Sequence, residues 1–342
     1  MRHKTLLIAT LVLGLAALAL LRLNREAPAT EGGKQPLVAA TTLDRLQALT
    51  VKAGNKSVTL EKSADGWTVK EKLSLPADVE NRLQPLIRGL QKANNLGQLT
   101  ANPKRLERLA LADSAVELTS DDGRKTAIQF GKQTEDGVGS SARLQGQDFA
   151  IRTDFTGYLE GDATSWVDFN LFVTPPAEIR SIAFVWKDGQ AEFARKAKGV
   201  PFEGKDGPAV DDIVMTLATL RAADAVALDD KAAAQAGRSA QVKLTLFDGS
   251  SVTLTLAKAT AVSANDSPKT YMRVEHSDPK HRANALAKKA VFIAAPWLAE
   301  QVPASLADFK KGQQPAPEPA STTIPIPGPA PTIIGTPDIK LK

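Results

Sequence analysis

The sequence predicts an α+β fold: a tandem duplicated, hairpin-rich module (strands, helix, strands) behind one N-terminal transmembrane helix. Three observations predict it: an uncharged apolar stretch near the start, an internal self-similarity over most of the chain, and alternating apolar runs separated by turn dipeptides. The 342 residues suggest about two domains, and a hydrophobic fraction of 43% is sufficient for folded cores.

The composition excludes several classes of site. The chain has no Cys, which rules out disulfides, zinc–thiolate sites and a lipidated cysteine, and its 3 His leave little material for a metal centre. Of the formal charge of +5, residues 42–310 carry only +1. We therefore expect no large phosphate-binding surface and no nucleic-acid partner. No cofactor is expected either.

Residues 1–23 are predicted to be an N-terminal membrane anchor. Thr5 to Leu21 contain no charged residue, and their 17 residues span roughly 26 Å as a helix, near the lower limit for a hydrocarbon core of about 30 Å. A cleaved signal peptide is the alternative, with Ala27-Pro28-Ala29 as the cleavage site. That site lies beyond two arginines and holds a proline, which favours an uncleaved anchor with the body exported to the bacterial periplasm.

Two flanking segments have the composition of linkers. Residues 24–41 are polar and small and predict a short linker. Residues 311–342 hold eight of the 21 prolines and predict a Pro-rich disordered tail, since proline is incompatible with helix interiors and strand ladders. The tail is either an inert solvated segment or a spacer or docking peptide for a periplasmic partner.

Between these flanks the chain repeats itself, which predicts a first α+β repeat at 42–174 and a second at 175–310. ALTVKAGNKSVTLEKSADGWTV aligns without a gap with SIAFVWKDGQAEFARKAKGVPF, at a spacing of 133 in the numbering. AVELTSDDGRKTAIQF aligns with QVKLTLFDGSSVTLTL at a spacing of 126, and WVDF with LADF at 140. The helical stretches align at 130, which places Leu90 opposite Leu220. The units join near Pro175-Pro176.

The elements of each unit follow from local patterns. Runs such as SVTLEK and WTVKEK alternate as half-buried strands do. Apolar residues at helical spacing predict a helix from Pro76 to Asn95, in which Pro85 marks a kink or a late start. Short helices are expected at Arg105–Leu111 and Pro296–Val302. Tight hairpin turns are expected at Gly54-Asn55, Asp65-Gly66, Asp122-Gly123, Asp188-Gly189 and Asp248-Gly249.

No catalytic, cofactor-binding or metal-binding residue is assigned. His276 and His281 lie five apart in HSDPKH, where Pro279 disfavours a shared helix face, so a polar loop is expected; a triad with Ser277 and Asp278 would need spatial support. Gly137-Val138-Gly139 lacks the context of a phosphate loop. Structural roles are expected for three acidic pairs. Turn formation accounts for Asp121-Asp122 at a hairpin tip, and helix-dipole stabilisation for Asp211-Asp212 at a helix start; Asp229-Asp230 is the third pair.

The four tryptophans are expected in the hydrophobic core. Trp67 and Trp186 fall in predicted strands, whereas Trp166 and Trp297 lie near the ends of the repeats. The alternative is an aromatic stripe that binds sugars. The low aromatic fraction of 5% argues against it.

Two stretches carry a family resemblance. GWTVKEKLSLPADVENRLQPLIRGL and RLERLALADSAVELTSDDGRKTAIQFGKQT resemble the helix and strand–turn–strand signatures of the domain of unknown function 4340 (DUF4340) family. The resemblance covers about residues 42–310, with Ala110-Leu111 where the family usually has Gly-Leu and with a looser second unit. It implies one membrane segment, a repeated α+β body, and occurrence with a gliding-motility-type ABC-2 transporter and its auxiliary subunit. It supplies no catalytic residue.

These observations lead to three expectations about function. The first is a non-enzymatic accessory or scaffold subunit of an ABC-type transport assembly, single-pass in the bacterial inner membrane, whose partner is an ABC-type permease or its auxiliary subunit. The second is a periplasmic binding module for cell-wall glycan or lipid. The third, an envelope hydrolase, would need His276 or His281 as its imidazole.

Overall fold

The computed structural model describes residues 34–134, 137, 139–259 and 268–312. The predicted anchor at 1–23 and nearly all of the predicted tail at 311–342 lie outside the described residues. The described chain has an α+β fold in which every named strand pair is antiparallel. In this part of the chain no helix is long and apolar enough to cross a bilayer.

Two antiparallel sheets form the body within the described ranges. The strands of the first sheet are β1 (Gln35–Pro36), β2 (Leu46–Ala53), β3 (Lys56–Ser63), β4 (Gly66–Val69), β5 (Leu75–Pro76), β6 (Asn94–Thr100), β7 (Ser114–Ser120), β8 (Lys125–Gln133), β9 (Ser140–Leu144) and β10 (Ala150–Thr153). Those of the second are β11 (Asn170–Val173), β12 (Ile179–Trp186), β13 (Gln190–Ala194), β14 (Thr219–Val226), β15 (Gly237–Leu246), β16 (Ser251–Lys258), β17 (Thr270–His276) and β18 (Val291–Ala294).

Short helices connect the strands and cover the sheets. A π-helical turn at Val79–Leu83 runs directly into α2, and 3-10 turns occur at Ala163–Trp166 and Pro176–Glu178. The α-helices are α1 (Ala40–Asp44), α2 (Gln84–Lys92), α3 (Pro103–Arg108), α4 (Gly207–Leu217), α5 (Lys231–Gln235), α6 (Arg282–Ala287), α7 (Pro296–Gln301) and α8 (Leu306–Gly312).

The two sheets have the same strand order. The first runs β1-β6-β10-β9-β8-β7-β2-β3-β4-β5 and the second β11-β14-β18-β17-β16-β15-β12-β13, so the second corresponds to the first without β4 and β5. Registers also correspond: Val51 lies opposite Val116, and Phe184 lies opposite Val242. These residues stand at the spacings of 133 and 126 found in the sequence. We propose duplication as the origin of this correspondence.

All five predicted turns connect paired strands. They join β2 to β3, β3 to β4, β7 to β8, β12 to β13 and β15 to β16. Gly54 and Gly123 adopt positive φ values of 61° and 78°, a region that side chains disfavour. The turn dipeptides therefore predicted these hairpins correctly.

The predicted helices form, but the one predicted from Pro76 to Asn95 is shorter, since its first residue lies in β5 and its last two in β6; one alignment also needs correction. Pro85 lies in the first turn of α2, after the π-helical turn, which confirms the late start. In the second unit α4 ends at Leu217, so Leu220 lies in β14 and is not the helical counterpart of Leu90. The buried residues Leu83, Leu86 and Leu90 instead correspond to Val210, Ile213 and Leu217, which are also buried. The spacing of 130 was wrong because it continued the helical pattern past the end of α4.

The described part of the predicted linker packs against the body. Within 24–41, β1 pairs with β6, while Leu37 and Val38 are buried. Leu37 and Val38 are apolar enough to join the core, although the residues around them in the sequence are polar. At the other end, Lys311 and Gly312 complete α8.

The two sheets meet edge to edge. We call the meeting place the seam; it consists of residues 166–173 with β5 on one side and β14 on the other. Val167 forms an isolated antiparallel bridge with Ala77, and the Asp168 N–H donates to Pro76 O at 2.9 Å. The same strand then continues as β11, which pairs with β14. One cluster of buried hydrophobic residues extends through both sheets.

Candidate functional site

His276 and His281 form a stacked pair beside the seam. Their ring centroids are 3.9 Å apart with an interplanar angle of 12°, and Phe172 of β11 lies 6.3 and 6.2 Å from the two rings. Residues 277–280 between them form the expected exposed polar loop, but the stacking of the two imidazole rings was not predicted. They meet because His276 ends β17 while His281 is the N-cap of α6, so neither needs a shared helix face.

Backbone hydrogen bonds fix the tautomer of each imidazole. His276 Nδ1 accepts from the Asp278 N–H at 3.0 Å, and His281 Nδ1 accepts from the Ala283 N–H at 3.1 Å. We assign the proton of each neutral ring to Nε2, because an accepting Nδ1 cannot carry it. Burial, and then the neighbouring His276, lower the pKa of His281. The lowered pKa favours the uncharged form of His281.

The same contacts exclude a Ser277–Asp278–His281 triad in this conformation. A triad needs an Nδ1–H that donates to a carboxylate, whereas His281 Nδ1 accepts a backbone N–H. Asp278 Oδ1 accepts from the Lys280 N–H, and Ser277 Oγ accepts from the Ser251 N–H. These groups stabilise the loop and are not aligned for nucleophilic attack.

An ion pair links the histidine pair to the seam. Arg282 follows His281, and its Nη1 lies 2.5 Å from Asp168 Oδ2 while its Nη2 donates to Asp168 O at 3.0 Å. A second ion pair crosses between the sheets, from Lys72 Nζ to Asp224 Oδ1 at 2.6 Å. Ion pairs thus connect residues of the two units near the seam.

The acidic pairs have structural roles. Asp122 lies in the β7–β8 turn, where the Arg124 N–H lowers the pKa of its carboxyl. Asp230 caps α5 by accepting from the Ala233 N–H at 2.9 Å. The sequence suggested that Asp211 lies at a helix start, and this was wrong. Asp211 lies within α4 and binds Arg195 Nη2 at 2.7 Å. Among the described residues no three His, Asp or Glu could jointly hold a metal ion.

Two remaining candidates from the sequence lie in or near the first sheet. Gly137 and Gly139 belong to the β8–β9 connection, and Val138 between them lies outside the described residues. Trp67 lies in β4, as expected, and is half-buried. Neither place brings chemically reactive groups together among the residues that the structure describes.

The core expectation holds for two other tryptophans and fails for Trp297. Trp166 and Trp186 are buried, and their indole N–H groups donate to Glu160 O at 2.8 Å and Pro303 O at 2.7 Å. Trp297 is 49% exposed on α7. Pro296 starts that helix and Leu298 faces the core, which leaves Trp297 on the outer side.

Trp297 is one of three exposed apolar residues on neighbouring elements of the second unit. α7 packs against α4, on which Met215 is 62% exposed. Val173, 64% exposed, lies opposite Thr219, two residues after the end of α4. We call Val173, Met215 and Trp297 the α4–α7 surface. Exposed Trp and Met side chains on adjacent elements are typical of sites where proteins bind.

A second exposed aromatic residue lies in the first unit. Tyr158 is 78% exposed between two clefts of about 210 and 390 Å³. Asn81, Arg82 and Trp166 line the smaller cleft, whereas Phe130 and Phe155 line the larger one. Sequence reasoning did not identify Tyr158, because a lone tyrosine in a loop gives no periodic signal.

Fold and surfaces together define an α+β protein of two antiparallel sheets, joined at a seam and bearing exposed apolar side chains. The family model for Domain of unknown function (DUF4340) matches residues 67–237, and the chain belongs to that family. The match runs from β4 into the start of β15 and so includes the whole seam. No curated protein and no solved structure matches the chain.

Proposed function

We propose that the protein is a non-enzymatic accessory or scaffold subunit of an ABC-type transport assembly. Residues 1–23 anchor it in the bacterial inner membrane, and the two repeats, 42–174 and 175–310, lie in the periplasm. The partner is an ABC-type permease or its auxiliary subunit, as the family resemblance implies. The α4–α7 surface is the observation that carries the proposal.

Exposed apolar side chains are stabilised when a partner protein buries them. Trp is among the residues most enriched at the energetic centres of protein interfaces, and Met adapts its shape to different partners. Trp297 and Met215 are substantially exposed although the body has an extensive core in which to bury apolar groups. A second protein that covers them would remove this apolar area from water.

The experiment is affinity purification of the tagged full-length protein from its native membrane in mild detergent, followed by mass spectrometry. We expect stoichiometric recovery of a permease or auxiliary subunit. Trp297→Ala with Met215→Ala should reduce that recovery at least tenfold, whereas Leu228→Ala, at a residue 46% exposed elsewhere, should leave it unchanged. Recovery of the protein alone, or equal recovery with all variants, would contradict the proposal.

Two further variants separate a scaffold from an enzyme. His276→Ala and His281→Ala should leave partner recovery and cellular function intact, because the imidazoles have no catalytic role in a scaffold. Replacing residues 1–23 by a cleaved signal peptide should abolish function, because the body would leave the membrane. The reverse pattern would favour an envelope hydrolase.

Tyr158 and its two clefts favour a second candidate, a periplasmic binding module for cell-wall glycan or lipid. Exposed aromatic rings beside a cleft can stack on sugar rings or contact acyl chains. In that case the purified protein should sediment with isolated sacculi, or bind lipid vesicles, without a protein partner. Tyr158→Ala should then weaken this binding, with Trp297→Ala as the matched control.

A further inference from the structure

β13 forms the free edge of the second sheet. In the described chain it pairs only with β12. Two backbone hydrogen bonds, from Trp186 N–H to Gly189 O and from Arg195 N–H to Arg180 O, show which residue pairs of this ladder are hydrogen-bonded. Because hydrogen-bonded pairs alternate along an antiparallel ladder, Ala191 and Phe193 direct their backbone groups to β12. The backbone N–H and C=O groups of Gln190, Glu192 and Ala194 therefore point outward.

The first unit covers the corresponding edge with its own chain. β3 corresponds to β13, since Leu60 pairs with Leu49 as its repeat counterpart Phe193 pairs with Ile182. There β4 adds to β3 with Thr68 opposite Glu61. Lys70 N–H donates to Thr59 O. Because hydrogen-bonded pairs recur at every second residue, the N–H of Thr68 also bonds to β3.

Pro201 explains why no such strand forms in the second unit. It is the repeat counterpart of Thr68 in the gapless alignment, and proline has no N–H to donate to the ladder. The following Phe202 is buried instead, with its N–H donating to Asp211 Oδ2 at 3.2 Å and its ring 4.4 Å from Arg195 Cζ. The chain is thus diverted to the core, and the edge of β13 stays open.

The described chain ends beside this open edge. Leu306 and Ala307 at the start of α8 donate their N–H groups to Asp188 in the β12–β13 turn. One turn later the Phe309 ring lies 5.6 Å from the ring of Phe193 on β13. Gly312 follows three residues further, about 4.5 Å along the helix axis. The described chain therefore ends close to β13.

We propose that residues 338–342 of the same chain, DIKLK, add to β13 as an antiparallel strand. The segment is free of proline and alternates apolar and polar residues, as β13 does with half-buried Ala191 and Phe193 between exposed neighbours. With its centre, Lys340, opposite Glu192, the apolar Ile339 and Leu341 lie on the face of Phe193 and Ala191. The opposite charges of Lys340 and Glu192 favour this register.

The intervening chain permits the contact. Residues 313–337 can extend over roughly 80 Å at about 3.1 Å per residue, so distance does not restrict them. Tethering gives the strand an effective concentration on the order of millimolar, far above that of a soluble partner in dilute solution. A covered edge also prevents edge-to-edge association of the sheets.

The first test is a disulfide cross-link in the full-length protein, whose sequence contains no other Cys. Glu192→Cys with Lys340→Cys should form an intramolecular disulfide under mild oxidation, because paired strands hold such residues within bonding distance. Lys258→Cys with Lys340→Cys is the control and should remain reduced. Equal cross-linking of both pairs, or a disulfide-linked dimer instead of a cross-linked monomer, would overturn the proposal.

The second test is amide hydrogen exchange at Gln190, Glu192 and Ala194 in the full-length protein. Ile339→Asp with Leu341→Asp should accelerate exchange at these outward amides at least tenfold. Ile324→Asp with Ile326→Asp adds the same charge to the tail between prolines and should change nothing. Unprotected amides in the parent, or protection that rises with protein concentration, would contradict an intramolecular strand.

Discussion

At the residue scale, Arg195 shows how the protein holds a buried charge, through partners of its terminal nitrogens that fix a loop. Arg195 is buried, and it donates to Pro176 O at 3.1 Å while it pairs with Asp211. Its guanidinium lies over Phe202, so one side chain connects β13, α4 and the loop between them. A buried cation is tolerated only with such compensation.

The histidine pair gives the prediction at this scale. The pKa of His281 is lowered, so protonation favours the unfolded chain, in which that pKa is near its ordinary 6.5. The contribution of neutral His281 to stability is complete above that value and is lost as the pH falls through the lower, folded-state pKa. His281→Asn keeps a side-chain oxygen that can cap α6 and removes the titrating group.

We therefore expect the His281→Asn variant to lose less stability than the parent between pH 7 and pH 5. The measurement is the free energy of unfolding from urea titrations at each pH. Titrating groups that do not interact with His281 are common to both proteins and cancel in the comparison. At pH 8 the two proteins should agree within about 1 kcal/mol, since the cap is retained. Parallel pH profiles would show that His281 does not titrate below its unfolded value.

At the element scale, close backbone contacts decide which substitutions the sheets accept. Gly131 in β8 lies against the end of α3: a Cβ there would stand 2.2 Å from Leu109 O and 2.5 Å from Ser141 Oγ. Both neighbours are held in place, because the Lys132 N–H donates to Leu109 O while Ser141 Oγ donates to Lys132 O. A carbonyl fixed in this way cannot move aside cheaply.

Gly131→Ala should thus destabilise the protein by about 1–3 kcal/mol, the usual cost of forcing an extra carbon into a packed site. Gly237→Ala is the matched control in β15, where a Cβ would meet nothing within 4 Å, and its effect should stay within about 0.5 kcal/mol. Chemical denaturation of both variants measures the difference. A neutral Gly131→Ala would mean that α3 and β8 separate easily.

How well the structure could be predicted from the sequence also differs between hairpins, helices and contacts between elements. Hairpins such as Asp122-Gly123 could be predicted because the turn residues themselves set the backbone conformation. The helical spacing of 130 failed, since apolar residues continue from Leu217 into β14 and periodicity alone does not mark the change. The stacking of His276 on His281 could not be foreseen, because it depends on where a strand end and a helix cap meet in space.

At the scale of the whole molecule, the seam makes two units into one body. The bridge between Ala77 and Val167 continues the first sheet into the chain that becomes β11 of the second. This arrangement could not be read from the repeat, because the repeat describes each unit and not the contact between them. The family match over residues 67–237 runs across this seam.

The last prediction tests whether the seam is closed in solution. Lys72 and Asp224 are far apart in the sequence and join the two sheets at 2.6 Å, with side chains 21% and 36% exposed. Partial burial reduces solvent screening, so a double-mutant cycle with Lys72→Ala and Asp224→Ala should give a coupling energy of about 1 kcal/mol. Asp224 also accepts from the Ala225 N–H, which is why only the cycle, and not the single variant, isolates the pair.

The control cycle uses Lys125 and Glu117, which pair at 2.8 Å within the first sheet but are 61% and 40% exposed. Its coupling should be less than about 0.5 kcal/mol, as is usual for solvated pairs. If the Lys72–Asp224 coupling falls to that level or below, this ion pair does not stabilise the contact between the sheets in solution. A larger coupling means that loss of either sheet weakens the other, so a partner bound to the second unit would also stabilise the first.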